Sequence, residues 1–277
     1  MTVRAARAIP AAVPTTSADP RAAAALAPSS LPPEPPRALV RTWLVAIGGL
    51  ALAKLVSAVE PTGLLGANLA GVAAFLFIAL PDGRIRRRHE SWSAYGLPPL
   101  ALRDARAWRA IGRGTLQGLL VCAVVFPAFA AIFWAYAELV PHVPGAIARV
   151  VAPYGVAPRP AFRLPDRVLL LLVVQLLVVA APEELFYRGW MQTSWRRSAP
   201  ERGVTVLGAR LGSGFLWTQL LFALGHLVVL QPWRLATFLP GLLFGWVRER
   251  TGGLVAPVVV HALSNVFLAT LEASFYG

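Results

Sequence analysis

The sequence predicts an all-α protein, a polytopic bundle of transmembrane helices. Hydrophobic residues make up 57% of the 277-residue chain, only 14% of residues are charged, and the mean hydropathy is +0.61. Apolar stretches close to the roughly 20 residues that a helix needs to cross a bilayer recur along the chain. We therefore expect about seven spans (six to eight), with broken or tilted helices around an intramembrane cavity.

The expected spans follow one another from residue 42 onwards. They cover approximately residues 42–59, 62–81, 114–137, 168–188, 210–230, 235–248 and 254–275. The sixth is short, so it is expected to be tilted, half-inserted or packed inside the bundle. Residues 1–38 are rich in Ala, Pro and Arg without a sustained apolar run, which predicts a disordered cytoplasmic tail. Residues 39–277 then form a single transmembrane domain.

The placement of the basic residues indicates a membrane topology and not a nucleic-acid partner, although the net charge is +13. Arginines concentrate in alternate connections between spans, as the positive-inside rule expects. They are Arg84, Arg86, Arg87, Arg88, Arg103, Arg106, Arg109 and Arg113 in one connection, Arg196, Arg197, Arg202 and Arg210 in a second, and Arg248 and Arg250 in a third. This places the N-terminus in the cytoplasm. The Arg-, Ala- and Pro-rich composition further suggests a bacterial inner-membrane protein.

Two adjacent glutamates, Glu183 and Glu184, end an apolar run and are followed by Arg188. Charges at membrane depth are costly and mark functional sites by default. Glu184 and Arg188 have the i, i+4 spacing of a helical ion pair, which favours a structural role. Glu183 lies about 100° away on the helix. A desolvated glutamate without a fixed cation suits a general base.

Further polar groups lie on the later spans. Phe222 and His226 share a helix face at i and i+4, as do His261 and Asn265. Each histidine or the asparagine alone is equally well explained as an interhelical hydrogen bond, and Phe222 as packing. Together with the glutamates they would supply a base, its orienting partner and donors for an oxyanion. The lone cysteine, Cys122, is expected to be a small core residue.

The order EExxxR, FxxxH and HxxxN, with the connector PGLLFGWVRERTGGLVAPVVVHALSN, resembles the CPBP family of type II CAAX prenyl proteases and related bacteriocin-processing or self-immunity proteins. The resemblance covers about residues 165–270. It implies a glutamic intramembrane endopeptidase without a cofactor. Glu183 would activate water with help from His226, and His261 and Asn265 would stabilise the oxyanion. Glu184 and Arg188 would hold the site together, with Phe222 as an aromatic wall.

Alternatives remain at this point. A zinc-dependent protease would use His226, His261 and Glu183 as ligands with an open position for water, although the chain lacks HExxH. A non-catalytic immunity or transport protein that binds a hydrophobic peptide is the other class. The expected substrate is a membrane-associated peptide or protein, either a leader, a C-terminal anchor or sorting tail, or a CAAX-like tail. The stretch WTQLLFALGHLVVLQPW resembles the myxosortase subgroup of C-terminal sorting proteases.

Overall fold

The computed structural model describes residues 32–99, 103–151, 154, 157–198 and 203–277. Its helices are α1 (Pro36–Ser57), α2 (Leu64–Ala67), α3 (Leu69–Arg87), α4 (Ala105–Leu139), α5 (Gly145–Val151), α6 (Val168–Ser198), α7 (Ser213–Gly225), α8 (Phe238–Thr251) and α9 (Val255–Tyr276). Short 3₁₀ turns are Trp92–Tyr95, Val140–His142, His226–Val229 and Pro232–Thr237. The prediction of an all-α membrane bundle is confirmed. Most of the predicted tail, residues 1–31, lies outside the described residues, and Pro36–Ala38 at its end form the first turn of α1.

The described part of the chain has 4 helices long and apolar enough to cross a membrane. They are α1, α4 with its 3₁₀ extension, α6 and α9. Large apolar side chains such as Leu55, Val124 and Leu169 are more than half exposed on these helices. Exposed apolar faces of this kind are unfavourable in water and expected in contact with lipid.

The helical hairpin α7–α8 occupies the positions of the span predicted over approximately 210–230 and of the short segment predicted over 235–248, which is expected to be tilted, half-inserted or packed inside the bundle. α7 has 13 residues and α8 has 14, so each is about 20 Å long, whereas the hydrocarbon core is about 30 Å thick. Two 3₁₀ turns join them. Lys54 of α1 donates to the carbonyl oxygen of Val228 in this connection at 3.1 Å. Neither helix alone is long enough to cross a bilayer, and α7 ends at Gly225, directly before the half-buried His226.

Residues 203–212, before α7, form a β-hairpin that was not predicted from the sequence. Strand β1 (Gly203–Val206) pairs antiparallel with β2 (Ala209–Gly212). The two turn residues, Leu207 and Gly208, both have positive φ, as a tight hairpin turn requires. The helix of the apolar segment predicted over approximately 210–230 therefore begins at Ser213, directly after the hairpin.

The ends of α3, α6 and α8 meet on one side of the bundle, called here the basic side. Arg197 in the last turn of α6 donates to Glu90 at 3.0 Å, and Arg248 on α8 donates to the carbonyl oxygen of Tyr95 at 3.1 Å. Burial, and then its hydrogen bond to Glu90, raise the pKa of Tyr95 to about 12. Burial also acts to raise the pKa of Glu90, but Tyr95, Arg197 and Arg88 together outweigh it and lower that pKa.

Close backbone contacts hold the remaining helices around α6. A Cβ atom on Gly114 or Gly118 of α4 would lie within 3.0 Å of Val255 or Val259 on α9, so only glycine permits this approach. Cys122, one turn further along α4, packs in the core with Phe244, as predicted. The main apolar core surrounds α6 with residues from α1, α3 and α7. This packing fixes the position of α6, which carries the glutamate pair.

Candidate active site

The glutamate pair lies in the middle of α6, between two departures from regular α-helix. The segments Gln175–Ala180 and Leu185–Met191 are π-helical, and Ala181–Glu184 between them is α-helical. Such π segments are rare and are often found at functional sites. Pro182 has no backbone N–H to donate. The helix nevertheless continues through Pro182. The broken helix expected around the cavity is therefore, in α6, a change between α- and π-type hydrogen bonding and not a break.

Glu184 and Arg188 form the ion pair that their spacing predicts. Arg188 Nη1 lies 2.9 Å from Glu184 Oε1, and both side chains are fully buried. Arg188 Nη2 also donates to Gln219 Oε1 on α7 at 2.8 Å and to the carbonyl oxygen of Gly241 on α8 at 3.1 Å. Its guanidinium lies 4.2 Å from the ring centre of Phe222, a cation–π contact. Arg188 therefore joins α6, α7 and α8 around a buried charge.

These hydrogen bonds continue towards the basic side. Gln219 Nε2 donates to Gln192 Oε1 at 3.0 Å, and Gln192 Nε2 donates to Glu249 Oε1 at 2.8 Å. Arg196 completes the series with a 2.9 Å contact to Glu249 Oε2. We call the five residues Glu184, Arg188, Gln219, Gln192 and Glu249 the polar ladder.

Gln219, Gln192 and Glu249 were missed from sequence. For Gln192 the sequence does contain a signal, because Glu184, Arg188, Gln192 and Arg196 recur every four residues on one face of α6.

His261 of α9 lies between the two glutamates. Its Nδ1 is 2.8 Å from Glu184 Oε1. Glu184 Oε1 also accepts from Arg188, and a carboxylate oxygen accepts, so Nδ1 carries the proton and donates. The ring stacks on Phe244 with centroids 4.5 Å apart. Its Nε2 faces Glu183 Oε2 at 3.8 Å, which is too long for a hydrogen bond. His261 is thus oriented by Glu184 and presents its second nitrogen to Glu183.

Glu183 differs from its neighbour in its partners. Its side chain is 16% exposed, and its Oε2, like Glu184 Oε2, is buried without a hydrogen-bond partner in the described part of the chain. No described residue donates a hydrogen bond to either of its oxygens, whereas Glu184 Oε1 receives two. Such a carboxylate has lone pairs for a ligand proton. Glu184 thus forms the ion pair with Arg188 that its spacing predicts, and Glu183 lies outside that pair.

His226 and Phe222 complete an aromatic layer next to His261. The Phe222 ring centre lies 4.6 Å from that of His226 and 6.1 Å from that of His261. His226 Nδ1 is 2.8 Å from the carbonyl oxygen of Phe222. Because a carbonyl only accepts, Nδ1 is the protonated nitrogen, and Nε2 of the neutral ring is an acceptor. We call Glu183, His226 and His261 the carboxylate–histidine cluster.

Asn265 lies one helical turn from His261 on α9. Its side-chain amide donates to Gln175 Oε1 on α6 at 2.8 Å. Among the described residues no hydrogen bond joins Asn265 to Glu183 or to His261. Gln175 was not identified from sequence, because a lone glutamine in an apolar helix carries no spacing signal.

The arrangement of the acidic and histidine side chains also concerns the alternative of a zinc-dependent protease. Within the described ranges, no group of three or more His, Cys, Asp or Glu side chains is arranged to hold a metal ion. Of the proposed ligands, Glu183 and His261 lie together, and the Phe222 ring lies next to the rings of both His226 and His261. The set of residues brought together is one acid, one histidine oriented by a second acid, and one histidine with an acceptor nitrogen.

These features define a polytopic helical membrane protein with a buried acid–histidine site. Residues 165–267 match the family model described as Type II CAAX prenyl endopeptidase Rce1-like. No curated protein and no solved structure matches the chain. The matched segment contains the whole polar ladder, the carboxylate–histidine cluster and Asn265. The match supports a CAAX-type protease family and hence a peptide hydrolase, and with the apolar helices it indicates a multi-pass membrane protein.

Proposed function

We propose that this protein is a glutamic intramembrane endopeptidase of the CPBP type, in which Glu183 activates the water that attacks the peptide bond. The observation that supports this proposal most is the pairing of Glu183 with His261. Glu183 Oε2 is buried without a hydrogen-bond partner among the described residues, 3.8 Å from a histidine that Glu184 orients. An acid with free lone pairs beside an oriented histidine suits general-base catalysis.

In the proposed reaction a water donates one hydrogen bond to Glu183 and a second to His226 Nε2. Glu183 takes the proton as the water oxygen bonds to the carbonyl carbon, and the carbonyl π electrons move to the oxygen. His261 and Asn265 stabilise this oxyanion, with Asn265 exchanging its Gln175 contact for the substrate. Collapse of the intermediate breaks the C–N bond, and Glu183 returns its proton to the leaving amine.

The remaining site residues have positioning roles in this proposal. Glu184 fixes the orientation and tautomer of His261, and Arg188 holds Glu184 in place through their ion pair. Phe222 separates the histidines from the apolar interior and packs on the Arg188 guanidinium. None of these three needs to touch the reacting atoms.

The substrate class follows from the depth of the site. Glu183 is 15 residues from each end of the 31-residue α6, about 22 Å along the helix axis from either end. A substrate reaching this depth is itself membrane-associated, so we propose a leader peptide, a C-terminal anchor or sorting tail, or a CAAX-like tail. A bacterial inner-membrane location with a cytoplasmic N-terminus makes leader or anchor processing, including a myxosortase-type role, the preferred case.

We propose a metal-free site, with the zinc-dependent version as the runner-up. Metal content separates the two. Stoichiometric zinc in purified, active protein, together with loss of cleavage on chelation and recovery on adding zinc, would establish the zinc enzyme instead. Full activity in protein stripped of metal supports direct activation of water by Glu183.

The test of the function compares newly formed peptide termini in host membranes. Cells carrying the wild-type chain, Glu183→Gln or Glu138→Gln are analysed by mass spectrometry of protein termini. Glu138 is an exposed acid on α4 without a described partner, which makes it a matched control. We expect termini that appear with wild type and Glu138→Gln and are missing with Glu183→Gln, whose uncleaved substrate co-purifies with it. Identical termini in all three strains, with biological activity retained, would establish the non-catalytic alternative.

A further inference from the structure

A basic groove lies between α1 and α3, outside the candidate active site. It has a volume of about 640 Å³ and is lined on α1 by Arg37, Arg41 and Val45 and on α3 by Leu80, Arg84 and Arg87. The lining residues recur every three or four positions on each helix, so each helix turns one face to the groove. The volume is in the range of pockets that hold small organic ligands.

The positive charge of the groove is largely uncompensated. Arg84 pairs with the buried Glu34 at 3.1 Å. Arg37, Arg41 and Arg87 have no acidic partner within the described residues. The first turn of α1 contains no acidic residue and no side-chain cap, so its backbone dipole adds positive potential at the same place. Three arginines without an acidic partner among the described residues, next to a helix N-terminus, favour an anionic ligand.

The groove changes from charged to apolar along the helix axes. Its arginines lie at the start of α1 and the end of α3, and Val45 and Leu80 form the deeper part. Val45 is 53% exposed, and its neighbour in α1, Leu44, is 56% exposed. A soluble anion would use only the arginines. A ligand with a charged head and apolar chains uses both parts.

We propose that this groove binds the headgroup of an anionic phospholipid in the leaflet on the basic side. The phosphate contacts Arg37, Arg41 and Arg87, and the acyl chains lie along Val45 and Leu80. Basic pockets between transmembrane helices are suited to such headgroups, with about 1 kcal/mol per basic residue near the surface. The proposal does not depend on the protease activity, because it concerns residues outside the matched segment.

Gly83 offers a steric test that leaves every arginine in place. It lines the groove on α3, and a Cβ atom there meets nothing within 4 Å. A leucine at this position therefore fits the helix and fills the groove. Gly71, on the same helix outside the groove, also meets nothing within 4 Å and gives a matched control. Arg113 on α4, which is exposed, gives the charge control.

The experiment measures phosphatidylglycerol binding to the full-length protein by native mass spectrometry, with phosphatidylcholine as the neutral comparison. We expect the wild type to bind phosphatidylglycerol preferentially. The double variant Arg41→Gln/Arg87→Gln should bind it roughly 25-fold more weakly, from about 1 kcal/mol per arginine. Gly83→Leu should weaken it by about tenfold or more, because the side chain occupies the headgroup volume. Gly71→Leu and Arg113→Gln should bind as the wild type does.

Three results would overturn the proposal. Equal binding of the two lipids removes the anionic preference. Unchanged affinity in the double arginine variant and in Gly83→Leu, each with an unfolding midpoint like the wild type, places the lipid elsewhere. Competition by inorganic phosphate as effective as by phosphatidylglycerol assigns the groove to a soluble anion. Cleavage activity enters none of these readouts, so failure here leaves the proposed protease function intact.

Discussion

The polar ladder and the carboxylate–histidine cluster both include residues of α6, but their side chains differ in how many hydrogen bonds they make. Every residue of the ladder has at least one side-chain hydrogen bond, from Glu184 through Arg188 to Glu249. In the cluster, Glu183 has none among the described residues, and His226 has one. Buried polar groups are usually satisfied, so an acid left without a donor needs an explanation. The difference indicates that the ladder stabilises the bundle, whereas the cluster has polar atoms available to bind a ligand.

The largest effect is expected when the cation of the polar ladder, Arg188, is removed. Arg188→Met leaves Glu184 as a buried charge without a counter-ion, and this should lower the free energy of unfolding by about 3–5 kcal/mol. Cleavage should be lost with it, because His261 loses its orientation. Denaturant titration in detergent measures the change, with Arg113→Met as the exposed control.

A double variant separates charge from packing at the same place. Glu184→Gln/Arg188→Met removes both charges and should recover part of the stability that Arg188→Met loses. If Arg188→Met alone is as stable as the wild type, the ladder has no stabilising role.

Replacing a residue of the cluster should have the opposite signature. His226→Gln removes the proposed acceptor nitrogen and should slow cleavage by about 100-fold, at the lower end of general acid–base effects. The free energy of unfolding should change by no more than about 1 kcal/mol, since one hydrogen bond is involved. Initial cleavage rates and unfolding curves are compared with His142→Gln, an exposed histidine outside the cluster. A loss of stability at an unchanged rate would assign His226 to packing.

The smallest expected effect concerns the close approach of α7 and α8 that the ladder requires. A Cβ atom on Gly245 would lie 2.5 Å from Gln219 Nε2 and 2.8 Å from the Phe215 ring. Gly245→Ala should therefore lower the free energy of unfolding by about 1–3 kcal/mol. Gly71→Ala, where the added atom meets nothing within 4 Å, is the control. Equal stability of the two variants would show that the ladder tolerates separation of the helices.

The relations within one helix were predictable from sequence. The spacing of Glu184 and Arg188 fixes their pairing, because helical geometry places i and i+4 on one face. The same geometry separates Glu183 from that pair. The apolar runs likewise locate the long helices α1, α4, α6 and α9.

The relations between helices were not predictable in the same way. The hydrogen bonds from His261 to Glu184, from Asn265 to Gln175 and from Arg188 to Gln219 depend on the relative height of three helices, α6, α7 and α9. Hydrophobic pattern does not determine that height. The π segments of α6 and the early end of α7 at His226 also depend on tertiary packing, which overrides local preference. These features bring the later motifs to the depth of the glutamates.

The most direct test of the central claim is a paired measurement on the adjacent glutamates. Cleavage rate and free energy of unfolding are measured for Glu183→Gln and Glu184→Gln under the same conditions. We predict that Glu183→Gln loses cleavage by at least about 100-fold and unfolds like the wild type. Glu184→Gln should be clearly destabilised, because Arg188 is left buried without its carboxylate. Retained cleavage in Glu183→Gln, or a loss of stability there equal to that of Glu184→Gln, would contradict the separate roles of the two acids.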